Sequence, residues 1–264
     1  MNKKLFFASI AITLVAGVFN SCEKEDPDAV SMEVLQAGII KIEGKDGKTY
    51  DVVDMGFPSG TMWATCNIGA NSPEENGSFF AWGETKPKAV YSMDTYSMYY
   101  EGDAYKILKY CTNDERGYVN KELKAIDNKA ALDSVDNAAI VIMGNNWNIP
   151  TTQEYSELMY RSTKRWCKIN GVYGYLFTST EKGYEDRSVF FPMSGQNDGD
   201  SNEFIGKFGF YWTRVLAGGY SYAASVLQMD HKTGDNITVT NTRKERYMGL
   251  PVRPIVNQYN LNKH

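Results

Sequence analysis

Residues 166–175 read Trp166-Cys167-Lys168-Ile169-Asn170-Gly171-Val172-Tyr173-Gly174-Tyr175. An Asn-Gly pair between two runs rich in β-branched and aromatic residues predicts a hairpin closed by a two-residue turn. Both turn residues tolerate the positive φ that such a turn imposes. Further β-prone runs follow at 188–191, 208–216, 220–229, 237–242 and 250–256, with Thr233-Gly234-Asp235-Asn236 as a turn between two of them. Upstream, Ile39-Ile40-Lys41-Ile42 and Tyr50-Asp51-Val52-Val53 flank a Gly-rich stretch and predict a second hairpin. Residues 61–68 form another extended run, entered through Pro58-Ser59-Gly60.

Helix signals are few. In Pro150-Thr151-Thr152-Gln153-Glu154, Thr151 and Glu154 have the spacing of a capping box. Tyr155, Leu158 and Met159 then fall on one face, and the helix is expected to run to about Ser162. Asp133 is expected to cap a short helix over 135–143. Residues 70–135 are rich in Gly, Asn, Asp and Tyr and read as loop-dominated. Many short strands, one or two short helices and long loops predict an α+β fold with mainly antiparallel pairing.

The 264 residues carry 28 Lys and Arg against 32 Asp and Glu, a formal net charge of -4. No basic block follows the first few residues, which argues against a nucleic-acid partner. At 42% hydrophobic, the chain can bury a sizeable core. Lys3 and Lys4 precede an apolar run from Leu5 to Val18, which is short for a membrane span and typical of a secretory signal peptide. A small residue followed by Cys22, just after that run, resembles the lipobox of bacterial lipoproteins. The resemblance implies cleavage before Cys22, acylation of its sulfur and amine by palmitate-type chains, and anchoring to the membrane. Glu23-Lys24-Glu25-Asp26-Pro27-Asp28 reads as a solvated tether, and it resembles the acidic export signal of Bacteroides-type surface lipoproteins. That resemblance implies the outer face of the outer membrane. The expected organisation is a signal peptide over 1–21, a lipidated cysteine and acidic tether over 22–37, one domain over 38–256 and a tail over 257–264.

Six segments, in order, carry a second resemblance. They are Met55-Gly56-Phe57-Pro58-Ser59-Gly60-Thr61-Met62-Trp63-Ala64, Phe80-Ala81-Trp82-Gly83-Glu84-Thr85, Asn146-Trp147-Asn148-Ile149-Pro150-Thr151, Phe191-Pro192-Met193-Ser194-Gly195, Gly209-Phe210-Tyr211-Trp212-Thr213 and Gly249-Leu250-Pro251-Val252-Arg253-Pro254. Together they resemble the Fibrobacter succinogenes major paralogous domain of Bacteroides-type lipoproteins, over about residues 49–256. The resemblance implies a C-type-lectin-like fold, shared with formylglycine-generating enzymes. The chain departs from that pattern at Arg214 and at the proline in Gly249-Leu250-Pro251. The resemblance supplies a fold and an address rather than a reaction. Trp63, Trp82, Trp147, Trp212 and Arg253 read as structural, with Arg253 bonding loop carbonyls or pairing with an acid such as Glu84.

Chemistry-bearing residues are sparse. His231, in an expected hairpin end, and the terminal His264 are the two histidines. Cys66, Cys111 and Cys167 match no metal or redox spacing and read as buried thiols. Asp198, Asp200 and Asn202 alternate like the start of a calcium loop, but position twelve from Asp198 is Gly209. Calcium at these three residues is the one cofactor candidate, and no catalytic residue is assigned. Tyr96, Tyr99 and Tyr100, in a tyrosine-rich loop, are the candidate ligand platform for an extracellular glycan or protein. The expected function is therefore a surface-exposed outer-membrane lipoprotein with a non-catalytic binding or adhesion domain. The alternatives are a pilus or outer-membrane assembly component, marked by an apolar groove or open edge strand, and an enzyme on the same scaffold.

Overall fold

The computed structural model describes residues 26–112, 127–231, 234 and 236–261. The signal peptide, Cys22, Thr233, Asp235 and His264 lie outside the described residues. In chain order the strands begin with β1 (Ile39–Glu43), β2 (Thr49–Asp54), β3 (Thr61–Ala64), β4 (Phe79–Phe80), β5 (Tyr99–Tyr100) and β6 (Asp103–Ile107). Helix α1 (Ala138–Met143), β7 (Trp147–Asn148) and helix α2 (Thr152–Tyr160) follow. Next come β8 (Ser162–Ile169), β9 (Val172–Ser179), β10 (Ser188–Pro192), β11 (Gln196–Asp198), β12 (Ser201–Glu203), β13 (Phe208–Ala217) and β14 (Tyr220–Asp230). The chain closes with β15 (Asn236–Thr238), β16 (Arg243–Glu245), β17 (Leu250–Pro251), β18 (Ile255–Asn257) and α3 (Gln258–Leu261).

Pairing between named strands is antiparallel. A five-stranded sheet has the order β1-β2-β3-β18-β7 and a three-stranded sheet the order β10-β9-β8. In the third large sheet β14 lies between β13 and β15, with β16 pairing the first half of β14. The architecture is thus mainly antiparallel, with a few short helices, as the sequence predicts.

The five-stranded sheet divides two cores, because successive side chains of a strand point to opposite faces. Val52, Met62, Ala64 and Val256 face a core holding Trp82, Trp147 and Trp212. Their neighbours Val53, Trp63 and Ile255 face a second core with Tyr155, Phe177, Phe191 and Tyr211. This explains strands that are apolar on both faces rather than alternating with polar residues.

The Asn170-Gly171 hairpin forms in the predicted register, with Ile169 opposite Val172. Both turn residues have positive φ, 48° and 83°. The capping box also forms: Glu154 N donates to Thr151 Oγ1 at 3.2 Å, and Thr151 N donates to Glu154 Oε2 at 2.6 Å. Tyr155 and Leu158 enter the second core, while the helix ends at Tyr160, before Ser162.

Several expectations need correction. Helix α1 is capped by Asn137, whose Oδ1 accepts from Ile140 N at 3.4 Å, and Asp133 instead pairs with Lys129. The extended run at 61–68 pairs as a strand only to Ala64. The run at 237–242 shortens to β15, and 250–256 splits into β17 and β18. Pro251 and Pro254 lack the N–H that one continuous strand would need. Part of the supposed tether is fixed to the domain. Val30 N donates to Lys168 O at 2.9 Å, Lys168 N donates to Asp28 O at 2.7 Å, and Leu35 is 3% exposed among Cys167, Ile169, Leu176 and Phe190. Among the described residues, packed structure is therefore already present before Gly38. Cys111 and Cys167 are buried as expected, but Cys66 is half-buried; the three form no disulfide.

Candidate functional site

The motif residues lie in the interior. Trp63, Trp82, Trp147, Trp212 and Arg253 are all buried. Arg253 donates to Asn67 Oδ1 at 2.9 Å and to the carbonyls of Ala64, Thr65 and Phe190 at 3.1, 2.8 and 2.9 Å. It does not pair with Glu84, which binds Lys88 at 2.8 Å. The guanidinium also lies 4.4 Å from the centroid of the Phe191 ring. Arg214, where the chain departs from the resemblance, reaches back to the carbonyl of Ile149 at 3.1 Å.

The tyrosine loop does not form the expected platform. Tyr96 and Tyr99 are buried and pack edge-to-face at 4.7 Å; only Tyr100, at 44%, is exposed. Tyr96 Oη donates to Trp82 O at 2.6 Å, and Tyr99 Oη donates to Tyr222 O at 2.8 Å. Both hydroxyls are committed to the fold, which leaves the two rings no face for a ligand. Beneath them lies a residue that sequence reasoning missed. Arg246 is fully buried and donates to Tyr96 Oη, Ser221 O, Lys109 O, Tyr110 O and Met98 Sδ. Its guanidinium also sits 4.8 Å from the Trp82 ring.

The three calcium candidates do not converge. They lie on the β11–β12 hairpin, where Asp198 faces Ser201 and Asn197 faces Asn202. Side chains alternate along each strand, so Asp198 and Asn202 point to opposite faces of the hairpin. Asp200, at the turn, accepts from Ser201 Oγ at 3.2 Å. Among the described residues no group of three His, Cys, Asp or Glu side chains could hold a metal ion. His231 is exposed at the end of β14 and stacks on Trp166 with centroids 4.2 Å apart.

A cleft of about 480 Å³ opens instead between the start of α2 and the ends of β14 and β16. Thr152, Gln153 and Ser156 of the helix form one wall. Tyr220, Ser225 and the run from Thr240 to Arg243 form the others. The first-turn amides of α2 have no partner within the helix, and Thr151 takes only that of Glu154. Tyr220 is 38% exposed, and the Arg243 guanidinium lies 4.0 Å from its ring centroid. Asn241 adopts φ 57°, a left-handed conformation that asparagine tolerates better than most residues. Thr242 Oγ1 donates to Val226 O at 2.5 Å and ties the 239–243 run to β14. Amides, hydroxyls, one guanidinium and one aromatic ring therefore share a single concavity. No carboxylate lines it among the described residues.

These residues come from three segments: the β14–β15 and β14–β16 pairings set 239–243 beside 217–225, and α2 packs against β14 and β15. The start of α2 and the extended runs at 220–229 and 237–242 were legible in advance, but not their convergence on one cleft. No family model, no curated protein and no solved structure matches the chain.

Proposed function

We propose that this chain is a lipoprotein anchored through Cys22 to the outer membrane and displayed on its outer face, where a non-catalytic C-type-lectin-like domain binds a glycan. The supporting observation is the chemistry of the α2–β14 cleft. A sugar ring presents one apolar face and a rim of hydroxyls, and it is held by an aromatic ring together with directional donors and acceptors. The cleft offers Tyr220 for the ring face. Gln153, Thr240, Asn241 and Arg243 serve the hydroxyls. Its volume suits one or two sugar units. Hydrolysis of a glycosidic bond uses a pair of carboxyl groups flanking that bond; with none lining the cleft among the described residues, binding without turnover is the better reading. The ligand site lies here, not at Tyr96 to Tyr100, and it uses no calcium.

A glycan array with the mature chain tests this reading. Selective binding is expected, weakened about tenfold or more by Tyr220→Ala and by Asn241→Ala, and unchanged by a calcium chelator. A folded, monodisperse sample that binds no glycan would refute it.

A further inference from the structure

At the opposite end of β14 a second exposed feature forms. Trp166 stacks between Tyr173 and His231, with centroids 5.1 and 4.2 Å away and planes within 10° and 3° of parallel. Beyond this stack lies a mainly apolar cleft lined by Trp166, Phe204, Gly206, Lys207, Phe208 and His231. Phe204 and Ile205, at the turn after β12, are 43% and 52% exposed. Phe204 also has φ 64°, an unfavourable conformation for a bulky side chain. Phe208 N and Lys207 N both donate to Phe204 O, at 3.0 and 2.9 Å, and Gly206 N donates to Met193 O at 2.7 Å. A pinned turn thus holds two large apolar side chains in contact with solvent.

Lys207 lines this apolar cleft, and two further lysines lie on the Trp166 face, of which Lys164 donates to Met159 O at 2.7 Å. Lys164 and Lys168 alternate with Trp166 on one face of β8, and Lys207 follows Phe204 and Ile205 in the turn. Lys168 Nζ lies 4.6 Å from the Tyr173 ring centroid and pairs with Asp26 at 2.5 Å. Asp26 is therefore attached to the aromatic stack through one lysine.

The position of Asp26 identifies what meets this face. Asp26 lies only four residue steps after Cys22. At 3.3–3.6 Å per residue these four steps span at most about 14 Å. An acylated Cys22 consequently holds the Asp26 corner, and the stack beside it, close to the bilayer. Aromatic rings and lysines at one surface suit the boundary between headgroups and acyl chains, where rings straddle the boundary and ammonium groups meet anionic headgroups. We propose that the Phe204–Ile205 turn and the Trp166 face rest on the membrane that anchors Cys22, with Phe204 and Ile205 inserted about 5–10 Å into the headgroup boundary. The proposal builds on the lipid-anchor reading and is independent of the glycan cleft.

The test uses the full mature lipidated chain in vesicles of phosphatidylethanolamine and phosphatidylglycerol. In a Cys66→Ser background, Ile205→Cys carries an environment-sensitive fluorophore, and Gly218→Cys carries it in a second sample. An added Cβ at Gly218 meets nothing within 4 Å, so the control position tolerates the change. The expected result is a blue shift at position 205 and about twofold quenching by lipids bearing a headgroup nitroxide, with neither effect at 218. Equal, unquenched emission at both positions overturns the docking. The intact mass of the N-terminal peptide reports the anchor separately. An unacylated Cys22 removes the anchor and the docking together, whereas an acylated chain with an unquenched label removes the docking alone.

Discussion

Arg246 Nε donates a 2.9 Å hydrogen bond to the hydroxyl of Tyr96, 150 residues earlier in the chain, and both side chains are fully buried. Among the described residues no carboxylate hydrogen-bonds this guanidinium; its other acceptors there are three carbonyls and the Met98 sulfur. The cation is thus kept by oriented dipoles and by the Trp82 ring rather than by an ion pair. Replacing it leaves those carbonyls without a donor and opens a cavity. Arg246→Ala should cost about 3–5 kcal/mol in urea unfolding. Tyr96→Phe should cost about 1–2 kcal/mol. Glycan affinity of the folded Tyr96→Phe variant should match that of the parent, which separates the core tyrosines from the ligand site.

The thiols give a pH prediction. Burial pushes the Cys167 thiol up to about 11 and also raises that of Cys66, where a bond from Thr65 partly offsets it. Burial likewise raises the Tyr96 and Tyr99 hydroxyls. A group whose pKa is raised on folding contributes stability that is complete below its unfolded value. That contribution is lost as pH climbs through the folded value. The urea midpoint should therefore be lower at pH 10.5 than at pH 8. At pH 7.5 iodoacetamide should modify half-buried Cys66 slowly and leave Cys111 and Cys167 intact until the chain unfolds. Rapid modification of Cys167 in the folded state would contradict this.

At the N-terminal segment the sign is opposite on the acid side. Lys168 holds the Asp26 carboxyl below its ordinary range, and Asp26 raises the Lys168 ammonium. The pair contributes between the unfolded carboxylate and ammonium values, about 4 to 10.5. Its effect fades as pH falls through the lowered value of Asp26 or rises through the raised value of Lys168. Hydrogen-exchange protection of Val30 N, which is bonded to Lys168 O, should therefore be lower at pH 3 than at pH 6. Asp26→Asn should flatten that difference, and both ends of the pair are open enough for salt to weaken it.

The cap of α2 should influence the ligand cleft. Thr151→Ala removes the acceptor of Glu154 N and should lower stability by about 1 kcal/mol. Thr152 and Gln153 follow directly and line the cleft. Glycan affinity by calorimetry should weaken a few-fold, less than for Tyr220→Ala.

Local rules carried the parts of the fold that depend on neighbouring residues. Asn170-Gly171 set a register of eight pairs, and Thr151 with Glu154 fixed the start of α2. Three things escaped because they depend on distant partners. Asp26 and Asp28 look like solvated acids until Lys168 and the open edge of β8 come beside them. Arg246 lies in Arg243-Lys244-Glu245-Arg246, a run that reads as exposed. Only the closure of Tyr96, Tyr110 and Trp82 around it makes it a core residue. The tyrosine loop revealed its aromatic content but not which side the core would occupy. For the same reason the cleft itself, built by nonlocal pairing along β14, was invisible.

The placement of Asp28 and Val30 on the edge of β8 has a mechanical consequence. β14 has eleven residues, about 35 Å end to end, with the α2–β14 cleft at its Tyr220 end and the Trp166 stack beyond Asp230. Under the proposed anchoring at Cys22, a ligand that pulls on the cleft would load the long β13–β14 ladder in one direction and the N-terminal attachment in the other. That attachment has two backbone hydrogen bonds to Lys168, one ion pair and the small cluster around Leu35. It is the weaker of the two, and once released the eleven residues from Asp26 to Gln36 can extend to at most about 36–40 Å. On the proposed anchoring, the domain would extend away from the bilayer under tension while its two main cores stay intact.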